Sequence, residues 1–218
     1  MTGMVEVPAE AARDCPLCPR LVSFREANQR AEPSWHNGAV ASFGPASARL
    51  LIVGLAPGLR GANRTGRPFT GDFAGDLLYA TLLEFGFARG DYKASPDDGL
   101  ALVDCMITNA VRCVPPENKP TPAEINACRP FLASRIAALP RLAAILALGR
   151  IAHDSTLAAL ALRKSLFPFA HGARHEVRPT LVLFDSFHCS RYNTNTGRLT
   201  PAMFRAVLQA IRTRLGPA

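Results

Sequence analysis

Short apolar runs closed by glycine or proline alternate along this chain with stretches of helical periodicity. Arg49 to Gly54 (RLLIVG) predicts a buried strand ending in a glycine turn, and Asp104 to Val111 (DCMITNAV) predicts a second. Leu142 to Leu148 predicts a third strand, ended by Gly149, and Thr180 to Phe184 (TLVLF) a fourth. Between them, Leu77, Leu78, Thr81, Leu82 and Phe85 recur at helical spacing within Gly75 to Phe85. Thr121-Pro122-Ala123-Glu124 places an N-cap threonine before a proline at N1 and a glutamate at N3, which starts a helix reaching Ala138. Ile151 to Ala161 and Pro201 to Leu215 complete the helices, and Glu32 to Pro45 and Lys93 to Gly99 read as exposed loops.

Continuous apolar strands alternating with helices predict a parallel sheet covered on both faces. Ligands of such sheets bind beyond the carboxyl ends of the strands. Glycine-rich Gly54 to Asp72 follows the first strand, His188 to Thr200 follows the fourth, and Asn109 lies near the end of the second. Three separate segments therefore converge on one edge.

Composition narrows the class. The 218 residues suit one domain, 1–218, and no apolar run reaches the ~18 residues of a membrane span. Met1 to Arg13 carries Glu6 and Glu10 and has no apolar core, so it reads as no signal peptide, and a cytoplasmic location is expected. The net charge of +8, mostly from arginine, fits either a solvated surface or the footprint of a polyanion.

Six cysteines in a reducing compartment point to metal binding or chemistry before disulfides. Cys15-x-x-Cys18 lies near the start, and Cys113 and Cys128 lie about a hundred residues on. One C-x-x-C also suits a redox dithiol. The second pair favours a four-thiolate site, either zinc or iron–sulfur. Cys105, inside its strand, reads as a small buried apolar residue.

GLAPGLRGANRTGRPFTGD, from Gly54 to Asp72, lacks the GK[ST] ending of a P-loop. With TNAVRC at Thr108 to Cys113, the four cysteines and HCSRYNTNTGRLT at His188 to Thr200, the chain resembles the iron–sulfur uracil-DNA glycosylases, and most closely their family 5 branch. The resemblance runs from Cys15 to Thr200. It implies a three-layer α/β/α fold around a four-stranded parallel sheet, with the N-terminal segment tied in by a [4Fe–4S] cluster on Cys15, Cys18, Cys113 and Cys128. It implies hydrolysis of the N-glycosidic bond of uracil in DNA, extending to other deaminated bases such as hypoxanthine, by a monomer that needs no membrane.

A base stacked in a duplex must be flipped into a pocket to be cut. By the resemblance, Phe69 would stack on the flipped ring, and Asn109 would read its edge. His188 would bond the base oxygen where negative charge develops. Asn193 and the loop Gly54, Leu55, Ala56, Pro57 and Gly58 would steady the base or the water. Many uracil glycosylases carry an acidic residue where this chain has Leu55 and Ala56, so Asp72 is expected to supply the carboxylate; the rival reading makes it only the N-cap of the helix that follows. Arg64, Arg67, Arg191, Tyr192 and Arg198 are expected on DNA. Cys189 and Arg191 replace the prolines that family members commonly carry. The rival readings are a family 4 enzyme, for which an acid at Leu55 is expected, a non-catalytic cluster-bearing DNA-binding protein, and a zinc site in place of the cluster.

Overall fold

A computed structural model describes residues 8–217; Met1 to Val7, part of the stretch read as no signal peptide, lie outside them. The helices are α1 (Pro19–Ala31), α2 (Ala62–Thr65), α3 (Phe73–Glu84), α4 (Pro122–Ala137), α5 (Arg150–Ala159), α6 (Arg191–Asn195) and α7 (Pro201–Leu215). The strands are β1 (Leu50–Gly54), β2 (Ala88–Arg89), β3 (Ala101–Leu102), β4 (Cys105–Asn109), β5 (Ala144–Leu148), β6 (Arg174–Arg178) and β7 (Leu181–Ser186). Among the described residues, no helix is long and apolar enough to cross a membrane.

The central sheet runs β4-β1-β5-β7-β6. Its four fully buried strands are parallel and correspond to the four expected from the apolar runs. The fifth strand, β6, was not foreseen. It pairs antiparallel with β7 through a bulge between Glu176 and Arg178. Its sequence RHEVR buries only Val177, so it carries no continuous apolar run. Polar residues on an edge strand also discourage further pairing.

Alternate side chains of each parallel strand enter opposite cores. Leu50, Ile52, Cys105, Ile107, Leu146 and Phe184 pack with α3 and α7 residues such as Leu78, Leu82, Phe204 and Leu208. Leu51, Val53, Met106, Ile145 and Leu183 pack with Leu132, Ile136, Ala152 and Leu157 of α4 and α5. Cys105 is one of these core residues, as expected.

Thr121 and Glu124 form the expected capping box, and Arg20 of the unforeseen helix α1 closes a two-pronged pair on Glu124 at 2.8 and 2.7 Å. That contact holds the N-terminal helix against the start of α4. The expectation of an exposed loop at Glu32 to Pro45 holds only in part: Asn37, Gly38, Ala39 and Val40 are buried. Asn37 bonds the Glu32 carbonyl and Asn63, and Val40 donates to the Arg112 carbonyl, so the segment is stitched into the molecule.

Arg67 corrects another expectation. Its guanidinium is buried, forked onto Asp98 at 2.8 Å through both terminal nitrogens, and flanked by the rings of Phe43, Tyr79 and Tyr92. It is not available to a phosphate. Instead it pins the exposed 93–99 loop to the segment that leads into α3. The Arg67 hydrogen bonds hold the Asp98 carboxyl well below the usual carboxylate range. Arg67→Met strands that buried carboxylate, so chemical denaturation should show a loss of about 3 kcal/mol. A loss below about 1 kcal/mol would contradict the clamp.

Candidate functional site

The carboxyl edge of the sheet gathers the expected residues. Gly54 ends β1 and pairs in register with Asn109, which ends β4, while His188 follows β7 by two residues. A cavity of about 380 Å³ opens there, walled by Leu55, Ala56, Pro57, Gly58, Phe69, Asp72, Asn109 and His188, among others. Gly54 does not line it. A side chain at Gly54 would collide with Asn109 Oδ1 and the Phe69 ring, so glycine lets those two reach the wall.

Phe69 has a left-handed backbone, φ +52°, which costs a non-glycine residue about 1–3 kcal/mol. Its surroundings hold it there. Tyr92 donates its hydroxyl to the Phe69 carbonyl at 3.2 Å, and Tyr79 donates to the Pro68 carbonyl at 2.6 Å. The two tyrosine rings stack at 4.6 Å. Phe69 in turn stacks on the His188 ring, with centroids 5.7 Å apart and planes at 28°.

Asn109 is 2% exposed, and its Oδ1 has no hydrogen-bond partner among the described residues. Leaving a buried amide oxygen unpaired costs about 1–3 kcal/mol, and a ligand that brings a donor removes that cost. Asp72 is the N-cap of α3, accepting the Gly75 N–H at Oδ1 over 3.1 Å. Its Oδ2 lies against Gly58 and Gly61, where any Cβ would crowd it. One oxygen therefore caps the helix while the other serves the cavity. Burial pushes the Asp72 pKa up; the Gly75 and Ala74 amides oppose this and Asp76 adds to it. Burial alone pushes His188 down to about 4, so its imidazole is neutral at pH 7 and offers one N–H donor.

Asn193, expected in catalysis, does not line this cavity. Its Nδ2 donates to the His188 carbonyl at 2.8 Å, and its own N–H meets Ser190 Oγ. It is a positioning residue for the His188 loop. Ser190, Phe73 and Asn118 line the cavity and were not foreseen. Asn118 sits in Pro-Pro-Glu-Asn with a left-handed backbone, and that dense turn signal was the available clue.

Arg64 and Arg191 face a shallow groove beside Asp72, together with Arg60, which sequence reasoning passed over. Arg191 lies over the Phe73 ring at 5.2 Å, and Tyr192 beside it is 72% exposed. Arg198 covers Phe187 at 4.5 Å in a second groove, which Arg150 also lines. Arg150 follows Gly149 at the end of β5, so the strand-end rule could have found it.

Cys15, Cys18, Cys113 and Cys128 line one apolar pocket with Leu21, Val111 and Phe131. Cys18 caps α1, Cys128 lies on α4, and Cys113 follows β4. The backbone N–H of Arg112 donates to Cys128 Sγ at 3.3 Å. Burial pushes the Cys113 thiol up to about 12 and Cys128 up to about 11, so a bound cation is needed to make them thiolates at pH 7. Cys105 and Cys189 are fully buried in the α3–α7 core instead.

A second group, His153, His175 and Asp185, brings its ligand atoms within 4.8 Å of one another. It is better satisfied as an ion pair. His153 Nδ1 meets Asp185 Oδ1 at 2.7 Å and Nε2 meets the Phe167 carbonyl at 2.8 Å, so both nitrogens face acceptors. An imidazolium satisfies both. Burial pulls the His153 pKa down, but the Asp185 carboxylate and the Phe167 carbonyl outweigh it and the net shift is upward.

The family model for the uracil DNA glycosylase superfamily matches residues 41–212. A type-5 uracil-DNA glycosylase of Thermus thermophilus is 47% identical over 93% of this chain and 94% of its own. One of Mycobacterium bovis is 40% identical over 93% of this chain and 78% of its own. A type-4 uracil-DNA glycosylase of Pyrobaculum aerophilum is 36% identical over 65% of this chain and 59% of its own.

The depressed pKa of His188 is open to direct measurement. Its folded value lies below the unfolded 6.5, so the neutral form contributes stability above pH 6.5 that is lost as pH falls through about 4. NMR of the histidine side chains should show one imidazole titrating near pH 4, and that resonance should vanish in His188→Gln. A His188 resonance titrating near 6.5 would remove the neutral-donor reading.

Proposed function

The chain belongs to the uracil-DNA glycosylase superfamily, and from its type-5 relatives and the pocket at the sheet edge we propose that it excises uracil from DNA in base excision repair. The observation that carries the reading is the meeting of Phe69, Asn109, Asp72 and His188 around one cavity at the ends of three strands. The target base flips out of the helix at a cost of a few kcal/mol and enters this cavity. Phe69 offers the stacking face, and Asn109 pairs its buried oxygen with an N–H of the base edge.

As the glycosidic bond breaks, negative charge moves onto the base and positive charge onto the sugar. Neutral His188 donates its N–H to the base oxygen where that charge develops. Asp72, in its anionic form, stabilises the oxocarbenium-like sugar with Oδ2 and orients the attacking water. The water adds its hydroxyl to the sugar carbon as the glycosidic bond breaks, its proton passes through solvent to the departing base anion, and neutral uracil and an abasic site result. Leu55, which lines the same cavity, carries no charge, so this chain does not use the acid that the family 4 reading requires.

The substrate range includes deaminated purines such as hypoxanthine. A volume of about 380 Å³ exceeds the need of a pyrimidine, and the wall at Ala56 and Gly58 carries no bulk to exclude a second ring. Arg60, Arg64, Arg191 and Arg198 hold the phosphates and Tyr192 wedges between bases, with the protein acting as a monomer.

The cysteine pocket is read as a [4Fe–4S] site on Cys15, Cys18, Cys113 and Cys128. The donor set is all thiol, apolar in lining and closed by three chain segments. No three of these sulfurs, among the described residues, lie within 4.8 Å of one another. A zinc on the same four thiolates is the alternative, and the iron and zinc content of the purified protein separates the two. When bound, the cluster acts as a structural tie between the N-terminal segment and the region after β4.

Purified wild-type protein should release free uracil from a uracil-containing oligonucleotide and leave alkali-sensitive sites, and inosine DNA should react as well. Asp72→Asn keeps the helix cap, since Asn caps as well as Asp. It should slow single-turnover excision by at least about 10²-fold while stability changes by less than about 0.5 kcal/mol. Binding of uracil DNA without base release would favour the non-catalytic binder, and a near wild-type rate in Asp72→Asn would remove the catalytic role of that carboxylate.

A further inference from the structure

Beside the cysteine pocket lies more buried positive charge than the described residues neutralise. Arg112 is 1% exposed and its guanidinium bonds Thr108 Oγ1, Ser42 Oγ at 2.9 Å and the Ala9 carbonyl at 3.3 Å. Its Nε has no partner among the described residues. The nearest carboxylate, Glu10, lies at 3.4 Å, and Arg135 shares it at 3.0 Å. On the other side Arg25, 6% exposed, donates only to the backbone carbonyls of Cys15 and Asp14, at 3.1 and 3.0 Å. Glu124, the other nearby acid, is already paired with Arg20. Among the described residues, Arg112 and Arg135 therefore share Glu10, and Arg25 has no carboxylate partner. A buried cation is expensive without an anion beside it.

We propose that Arg112 is the fixed counter-charge and positioning residue of the four-thiolate group, joining it to the strand end that carries Asn109. The inference rests on the iron–sulfur reading of the pocket. Four thiolates around an iron–sulfur core leave a net negative group, and Arg112 stands between that group and β4. Its backbone N–H donates to Cys128 Sγ while its side chain bonds Thr108, the residue before Asn109. The two residues before it, Ala110 and Val111, donate backbone N–H groups to the carbonyls of Gly54 and Leu55 at 2.9 and 3.0 Å. A single segment thus contacts the cysteine pocket at one end and the base pocket at the other. Glu10 tempers the charge and docks the N-terminal segment onto it.

The test measures how fast the holoprotein loses its visible absorbance and iron to a chelator, with circular dichroism as a check on the fold. Arg112→Met should lose iron at least about tenfold faster than wild type. Arg112→Lys, which keeps the charge without the guanidinium fork, should recover to within about twofold of wild type. Arg112→Met within twofold of wild type, or Arg112→Lys as fast as Arg112→Met, would overturn the proposal. If Arg112→Met does not fold, Arg112→Gln, which keeps side-chain hydrogen bonding and removes the charge, decides: iron loss within twofold of wild type overturns the charge role. A wild-type protein purified anaerobically without iron would sink the proposal together with the cluster reading, whereas the other failures leave that reading standing.

Discussion

Desolvation at the carboxyl edge of the sheet moves two side chains in opposite directions. It makes the Asp72 carboxyl hold its proton more firmly, and it drives His188 toward the neutral imidazole. Among the described residues, neither group forms an ion pair, and burial is the leading cause of both shifts. The upward shift on Asp72 is opposed by the backbone amides of Gly75 and Ala74 at the start of α3, and Oδ1 is committed to the helix. In the proposed mechanism Asp72 acts as the anion and His188 as the neutral donor around one cavity. That pairing suits glycosidic cleavage, because the sugar gains positive charge while the base gains negative charge.

Keeping such a pocket dry and in register requires rigid walls. The left-handed backbone at Phe69 is held by Tyr79 and Tyr92, and behind them the Arg67–Asp98 fork fixes the 93–99 loop against the same segment. On the opposite side, residues 110–113 bond the Gly54–Leu55 backbone and then enter the cysteine pocket. The loops at this edge carry only the short helices α2 and α6, and these two clamps add to them. Asn193 adds a third by bracing the His188 carbonyl.

The four parallel strands and most of the main helices were legible because apolar periodicity and capping chemistry are local. So was the convergence at the sheet edge, which follows from where the motifs sit relative to strand ends. β6 was hidden because an edge strand needs only one buried residue, Val177. Arg67 was misread as a DNA contact since an arginine in a glycine-rich loop looks the same whether it faces solvent or Asp98, thirty-one residues away. The expectation for Asn193 came from its motif, whereas only the folded loop shows its amide turned to the His188 backbone. Leu55 and Ala56 did line the pocket as expected, and Gly54 proved to act by having no side chain.

The central claim is that an ionised Asp72 and a neutral His188 act together in a desolvated pocket. The pH dependence of single-turnover uracil release, in wild type and Asp72→Asn, tests it most directly. The rate should rise with pH through an apparent pKa above the ordinary aspartate value of about 3.9 and then stay level through pH 8. Asp72→Asn should erase that rise above about pH 5, leaving only the step near pH 4 that belongs to His188. An acid limb above about pH 5 that persists in Asp72→Asn, or a rate that falls as pH rises through about 6.5 and so requires a charged histidine, would contradict it.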